Sequence, residues 1–314
     1  MTGSVAFGQG SFTGPLLGFT FDSPGQALRR ISGIPGSALV GDKLDLGFNV
    51  ASALISPGQD FAIAAGVDGS VNFVKLGASD ATAQAIPALP VSPDRFVLSP
   101  NARAAAFVYG TTIQTLSGLP DALDRVQTFD VSALPNGSAA VAISDDGQVL
   151  LVSSPDKDSS PGGVFVITQT NSTPLFVPGG AQSALAFLPD AHDALIIDEA
   201  ANTVTELQDA GGATNPIWAF SDDRLGAPRF ARSSSDGQRI LVASAANNTI
   251  AVIDRNGQNS VFSPCSCSPN EIEPLNGLVY QITDSSVGLI WSVDITSDPR
   301  IFFLPLPAVP TDAP

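Results

Sequence analysis

Two pairs of carboxylates, each separated by a single residue, are the side chains of this sequence with the most obvious chemistry: Asp156 with Asp158, and Glu271 with Glu273. A hydrolase needs either carboxylates gathered on a divalent metal or a base set beside a nucleophile, and each pair offers two oxygen-donor groups of the kind calcium takes. Neither pair has the ligand spacing of an EF-hand loop, so calcium is admitted as a cofactor without being specified and the metal itself stays unknown. His192, the sole histidine, falls beside Asp190 and Asp193 in a turn. Cys265 and Cys267 can form a small local disulfide, supply two metal ligands, or stay reduced. With one histidine and no other cysteine, zinc is not expected; a local disulfide or inert thiols are. A disulfide would favour the periplasm or the cell exterior over the cytoplasm.

Elements to position these groups must come from a chain with 44% apolar and only 14% charged residues, punctuated by 29 Gly and 25 Pro. So little charge predicts strands buried on both faces, and so many breakers predict short ones. The net charge of -16 repels phosphate backbones and anionic lipid surfaces, which argues against nucleic acid as a partner. Residues 1–21 carry no basic n-region and are broken by glycines, and the uncharged stretch 159–189 is broken by prolines; neither reads as a signal peptide or a membrane span. A monomer is expected.

A tight turn built on Ser, Asp, Asn and Gly recurs along the chain, with first residues Ser56, Ser99, Ser144, Leu188, Ser234 and Pro274. Successive differences are 43, 45, 44, 46 and 40 positions. A period in the forties carrying several strands per repeat is the pattern of a β-propeller rather than of a helical solenoid. Each repeat reads as strand A, this turn, an apolar strand B, a polar loop, strand C, a second turn and strand D. The fold expected is therefore all-β: one β-propeller domain over 1–314, most simply of seven blades of four antiparallel strands, with six or eight as alternatives. Residues 50–307 hold six four-stranded repeats and 308–314 a tail. Residues 1–49 hold the first blade, with 16–22 and 27–34 as its C and D strands, and an irregular connector at 35–50 that could cover the channel mouth.

The segment Ala245 to Asp254, AANNTIAVID, resembles the YVTN repeat of bacterial seven-bladed propellers, and Ala201 to Leu207, ANTVTEL, is a weaker match. That resemblance implies a fold and no particular activity. Related lactonase-type propellers lean on His and Arg in the channel, and this chain has no histidine to place there.

Propeller sites usually lie where D-to-A connections and B-to-C loops converge at one mouth of the channel. The phasing puts Asp68, Asp94, Arg95, Asp156, Asp158, Asn202, Asp222, Arg224, Asn247, Asn248, Glu271 and Glu273 in those segments. It puts His192 in an A-to-B turn on the other face, where a Ser-His-Asp triad is not expected. The function read from the sequence is a non-catalytic binding or scaffold propeller that takes a protein or small-molecule partner at a loop face. The alternative is a metal-dependent hydrolase or lactonase whose carboxylates converge only on folding.

Overall fold

Residues 228–264 show how a blade forms. Strands Pro228–Ser233, Arg239–Ser244, Thr249–Asp254 and Ser260–Pro264 follow one another as an antiparallel meander, A to D. The A-to-B turn is latched by Ser234, whose Oγ accepts from Arg239 N at 2.9 Å and donates to Asp236 Oδ1 at 2.5 Å. Gly237 supplies the positive φ of 67° that closes it. The same latch recurs at Ser144, which accepts from Val149 N at 3.0 Å and donates to Asp146 at 2.6 Å, and at Ser56 with Phe61 N and Asp60. A recurring Ser thus has a mechanical reason: its hydroxyl satisfies a strand N–H and orients a turn carboxylate at once. Ser144 is fully buried, so Ser144→Ala is expected to cost about 1–2 kcal/mol by orphaning Val149 N. A lowered urea midpoint with unchanged m-value, followed by tryptophan fluorescence, is the check.

The computed structural model describes residues 14–78, 80–134, 137–155, 162–169, 175–177, 184–212, 215–284 and 289–306. Among them are 27 strands and no helix, in six sheets of four strands and one of three. Strand B is heavily buried in every blade; Phe61–Gly66 and Val149–Ser154 are buried at every position. Such strands sit inside a sheet and between neighbouring blades, so both faces lose water.

Apolar clusters join each blade to the next. Phe61 and Ile63 meet Phe96 and Phe107, while Leu195 and Ile197 meet Ile240 and Val242. A further cluster joins Leu17, Ile31 and Val40 of the first sheet to Leu275, Val279 and Leu304 of the last. The ring is closed at seven blades.

The first blade departs from expectation. Its strands are Leu16–Asp22, Ala27–Ser32 and Leu39–Lys43, so the segment anticipated as a connector holds a strand. Leu17 O accepts from Asn276 N, and Phe19 N donates to Gln59 Oε1, both partners lying in A-to-B turns. The first strand therefore starts where B strands start, and the three take positions B, C and D rather than ending as a C and D pair. The turn Ser23 to Gln26 fits this: Gln26 O accepts from Val50 N at 2.9 Å, at the start of the next blade's A strand, where B-to-C turns lie.

Gln59 completes the ring. Its Oε1 accepts from Phe19 N at 2.7 Å, and its Nε2 donates to Ser56 O at 3.2 Å and to Pro274 O at 2.7 Å. One side chain thereby ties blades 1, 2 and 7. No helix among the described residues is long and apolar enough to cross a membrane.

Candidate functional site

At the mouth formed by B-to-C loops and D-to-A connections, the predicted polar residues are engaged in shaping their own loops. Asp68 accepts from Ser70 N and Oγ at 3.0 and 2.7 Å, and these bonds hold its carboxyl below the usual range. Asp94 accepts from Gly110 N at 2.7 Å. Arg95 reaches the next blade and donates to Ser138 O and Oγ at 2.7 and 2.8 Å, while burial lowers its pKa. Asp156 and Asp158 lie outside the described residues.

Four of the predicted residues, Asn202, Asp222, Arg224 and Asn247, do converge, between blades 5 and 6. Asn202 Oδ1 accepts from Ala227 N at 2.8 Å, and Asn247 Nδ2 donates to Arg224 O at 2.9 Å. Arg224 grips Asp222 in a fork of 2.9 and 2.7 Å, and its guanidinium lies 4.0 Å over the Phe262 ring. Hydrogen bonding from Arg224 brings Asp222 down to about 2, so it stays charged. Asn248 O accepts from Cys265 N at 2.7 Å, and its amide, oriented to satisfy both ends, donates to Ala245 O and Cys267 O at 3.1 Å. Cys265 and Cys267 form a disulfide, which resolves the three alternatives left open for the pair.

Glu271 and Glu273 belong to strand A of the last blade, Pro269–Pro274, rather than to the connection before it. Alternation along a strand puts both on one side, facing the central channel, while Ile272 between them is fully buried in the core of blades 6 and 7. Across from them Arg232 donates to Ile272 O at 2.8 Å and to Glu273 Oε2 at 3.1 Å. The channel holds a cavity of about 250 Å³ walled by the A strands, with apolar groups such as Leu54, Leu98, Leu185 and Phe230. Its rim is made of A-to-B turns, including Pro57, Pro100, Pro189 and Ser235. Burial raises the Glu271 carboxyl above the ordinary glutamate range, Glu273 adds to this, and Arg232 partly offsets it. Glu271 is itself exposed to the channel, although protein surrounds it on several sides.

The A-to-B rim carries a network of which the sequence reading singled out only the turn of Asp190, His192 and Asp193. Asp145 accepts from Asn101 N and Nδ2 at 2.8 and 3.1 Å and from Asp190 N at 3.0 Å, which ties blades 3, 4 and 5. Arg103 pairs with Asp190 at 2.6 Å. His192 Nε2 lies 2.9 Å from Asp146 Oδ2, as a half-buried turn residue tied to the neighbouring blade. Burial alone would raise Asp146, but bonds from Ser144, Gln148 and His192 outweigh it and hold the carboxyl low. The Ser144 hydroxyl and the imidazole both address this one carboxylate, so the Ser-to-His hydrogen bond of a triad is not made. Farther out, buried Glu206 is met by Trp218 Nε1 at 2.7 Å and by Arg255 at 3.4 Å. Burial nevertheless keeps its pKa raised. The available signal was the repeat itself: turn carboxylates recurring in several repeats, at Asp60, Asp145, Asp146, Asp190 and Asp236, have to gather on a single rim.

Around this rim lie open grooves of about 800 Å³, beside Asp60, Arg103, Asp121 and Arg125, and about 390 Å³, beside Asp145, Asp190 and His192. A recess of about 640 Å³ flanks Trp218 and Arg255. No group of three or more metal-ligating side chains is found among the described residues.

Seven antiparallel sheets closed around a channel define the class: a seven-bladed β-propeller. No protein-family model matches the chain, and no curated protein matches it in sequence. Solved structures do share the fold. A functionally unknown protein from Desulfotomaculum acetoxidans is similar at 14% identity and TM-score 0.61, over 92% of this chain and 100% of that one. A candidate 6-phosphogluconolactonase from Bacteroides uniformis is similar at 15% identity and TM-score 0.59, over 94% and 97%. Hydrazine synthase from Kuenenia stuttgartiensis is similar at 13% identity and TM-score 0.52, over 96% and 100%. At such identities the likeness is one of fold alone.

Proposed function

We propose that this propeller is a non-catalytic recognition module, with repeats of the YVTN type, that docks a basic protein segment on the rim of its A-to-B turns. The observation that carries the reading is the coincidence, on that rim, of grooves and fixed carboxylates. Asp121, Asp145, Asp146, Asp190 and Asp209 stand there around the grooves, against Arg103 and Arg125. Hydrogen bonds between blades hold several of these groups in place, so little ordering entropy would be lost on docking. The net charge of -16 acts in the same direction over longer range. In this reading Asn202, Asp222, Arg224, Asn247 and Asn248, on the opposite mouth, serve as ties that fix the loops.

The test is a basic peptide library screened by fluorescence anisotropy at two salt concentrations. Binders are expected whose affinity falls as salt rises, and falls by about fivefold or more in the double variant Asp121→Asn, Asp190→Asn. Salt-independent binding unaffected by that variant overturns the docking reading. Divalent-metal-dependent turnover of lactones or esters, abolished by chelation, overturns the non-catalytic one.

A further inference from the structure

The channel cavity has a chemistry of its own. Its described lining is largely apolar, with Ser99, Asn101 and Ser233 to Ser235 as neutral polar residues, and its charged side chains gather at one locus, where Arg232, Glu273 and Glu271 meet. Arg232 is committed to Glu273 and to Ile272 O. Glu271 accepts no hydrogen bond from the described residues and pairs with no cation within bonding distance, although it faces the same enclosed space. The Thr283 hydroxyl, on the residue paired with Glu271 in the adjacent strand, is buried and also lacks a partner. The three charges sum to minus one, and Glu271, exposed to the channel, is left without a counter-ion among the described residues. A bare carboxylate at the polar end of an apolar cavity favours a molecule with the complementary layout.

From this arrangement we infer that the channel binds a small organic cation, a primary ammonium on an apolar body, with the ammonium on Glu271 and the body against Leu54, Leu98, Leu185 and Phe230. A cavity of about 250 Å³ takes a single ring or a short alkyl chain. Such a ligand restores the missing counter-charge and covers apolar wall, and each contribution is available only with the other in place. An inorganic cation would satisfy the charge and leave the wall uncovered. The inference does not depend on the docking of a protein partner, and its assay uses none.

The pH dependence follows from the groups that face Glu271, namely Glu273 on its own strand and Arg232 on the facing one. The ammonium requires the ionised carboxylate, and Glu271 is protonated at a higher pH than an ordinary glutamate. Binding is therefore strongest above that raised pKa and is lost as pH falls through it.

The probe is benzylamine, with benzyl alcohol as its uncharged counterpart and calcium chloride as the inorganic control, each titrated by calorimetry into the full chain. Benzylamine is expected to bind with a Kd of about 0.1–10 mM, as its few heavy atoms allow. Glu271→Gln should weaken it at least about tenfold, as should the change to benzyl alcohol. Because Gln removes one of two neighbouring like charges, the unliganded Tm of Glu271→Gln is expected to be no lower than that of the parent. Leu185→Trp, which fills the cavity from another strand, should abolish binding with the carboxylate intact. Equal binding of benzylamine to the parent and Glu271→Gln overturns the inference, as does equal binding of benzyl alcohol. Calcium binding that outcompetes benzylamine, or no binding of benzylamine at the top of its range, overturns it as well.

Discussion

Replacing Gln59 with alanine is expected to destabilise the protein by about 2–5 kcal/mol, far beyond an ordinary turn substitution. The side chain is 5% exposed and makes three hydrogen bonds, two of them to other blades. Truncation leaves Phe19 N and Pro274 O without their partner at the junction of blades 1, 2 and 7, where little water can replace it. Asparagine should not rescue the loss, being one methylene too short to span both neighbours. The control is Gln26, which ends the identical tetrapeptide Ser-Pro-Gly-Gln at 23–26 but is exposed. Gln26→Ala should stay within about 0.5 kcal/mol of the parent. Urea denaturation followed by Trp218 and Trp291 fluorescence compares the two. Similar midpoints for Gln59→Ala and Gln26→Ala would show that ring closure does not run through this side chain.

Phe107→Ala is expected to cost about 3–5 kcal/mol. Phe107 is fully buried in strand Ala104–Tyr109 and stacks on Phe96 with ring centroids 5.8 Å apart. It packs between blades 2 and 3 with Phe61, Ile63 and Leu116. Its neighbours Ala105 and Ala106 are too small to fill the void, and strands hydrogen-bonded on both sides cannot close onto it, so most of the cavity should persist. Val91→Ala, at a residue 66% exposed, should change stability by no more than about 0.5 kcal/mol. Thermal and urea unfolding of both variants check the contrast, and a loss below about 1 kcal/mol at Phe107 would mean that the blades relax into the gap.

Much of the architecture was legible because its determinants are local. A Ser hydroxyl, a turn carboxylate and a residue with positive φ lie within five or six positions, so they recur visibly, and their period sets the blade. The all-buried B strands follow in the same way from uninterrupted apolar runs such as Ile240 to Ala243. The first blade was less legible. Its strand Leu39–Lys43 is short, polar at one end and flanked by glycines, so nothing local separates it from a connector.

The candidate site divides along the same line. Glu271 and Glu273 were visible as a pair, but their place in the channel required knowing that they lie within strand A, after an irregular step at Pro269. The rim network of Asp145, Asp190, Arg103 and His192 joins residues 44 to 87 positions apart. Those distances are set by the curvature of the ring, which no five-residue window contains.

The sequence by itself determined the repeat, the all-β propeller class and the chemistry of each turn, since these rest on hydrogen bonds and φ values within a single hairpin; the count of seven blades, open to six or eight in the sequence, came with the closing of the ring. Only the tertiary structure decided which turns face which mouth and which side chains meet across blades. The two Ser-Pro-Gly-Gln segments make the difference plain. Local chemistry gives both a turn ending in positive φ, at Gln26 and at Gln59. Only the closing of the ring sets one glutamine in solvent and wedges the other between three blades.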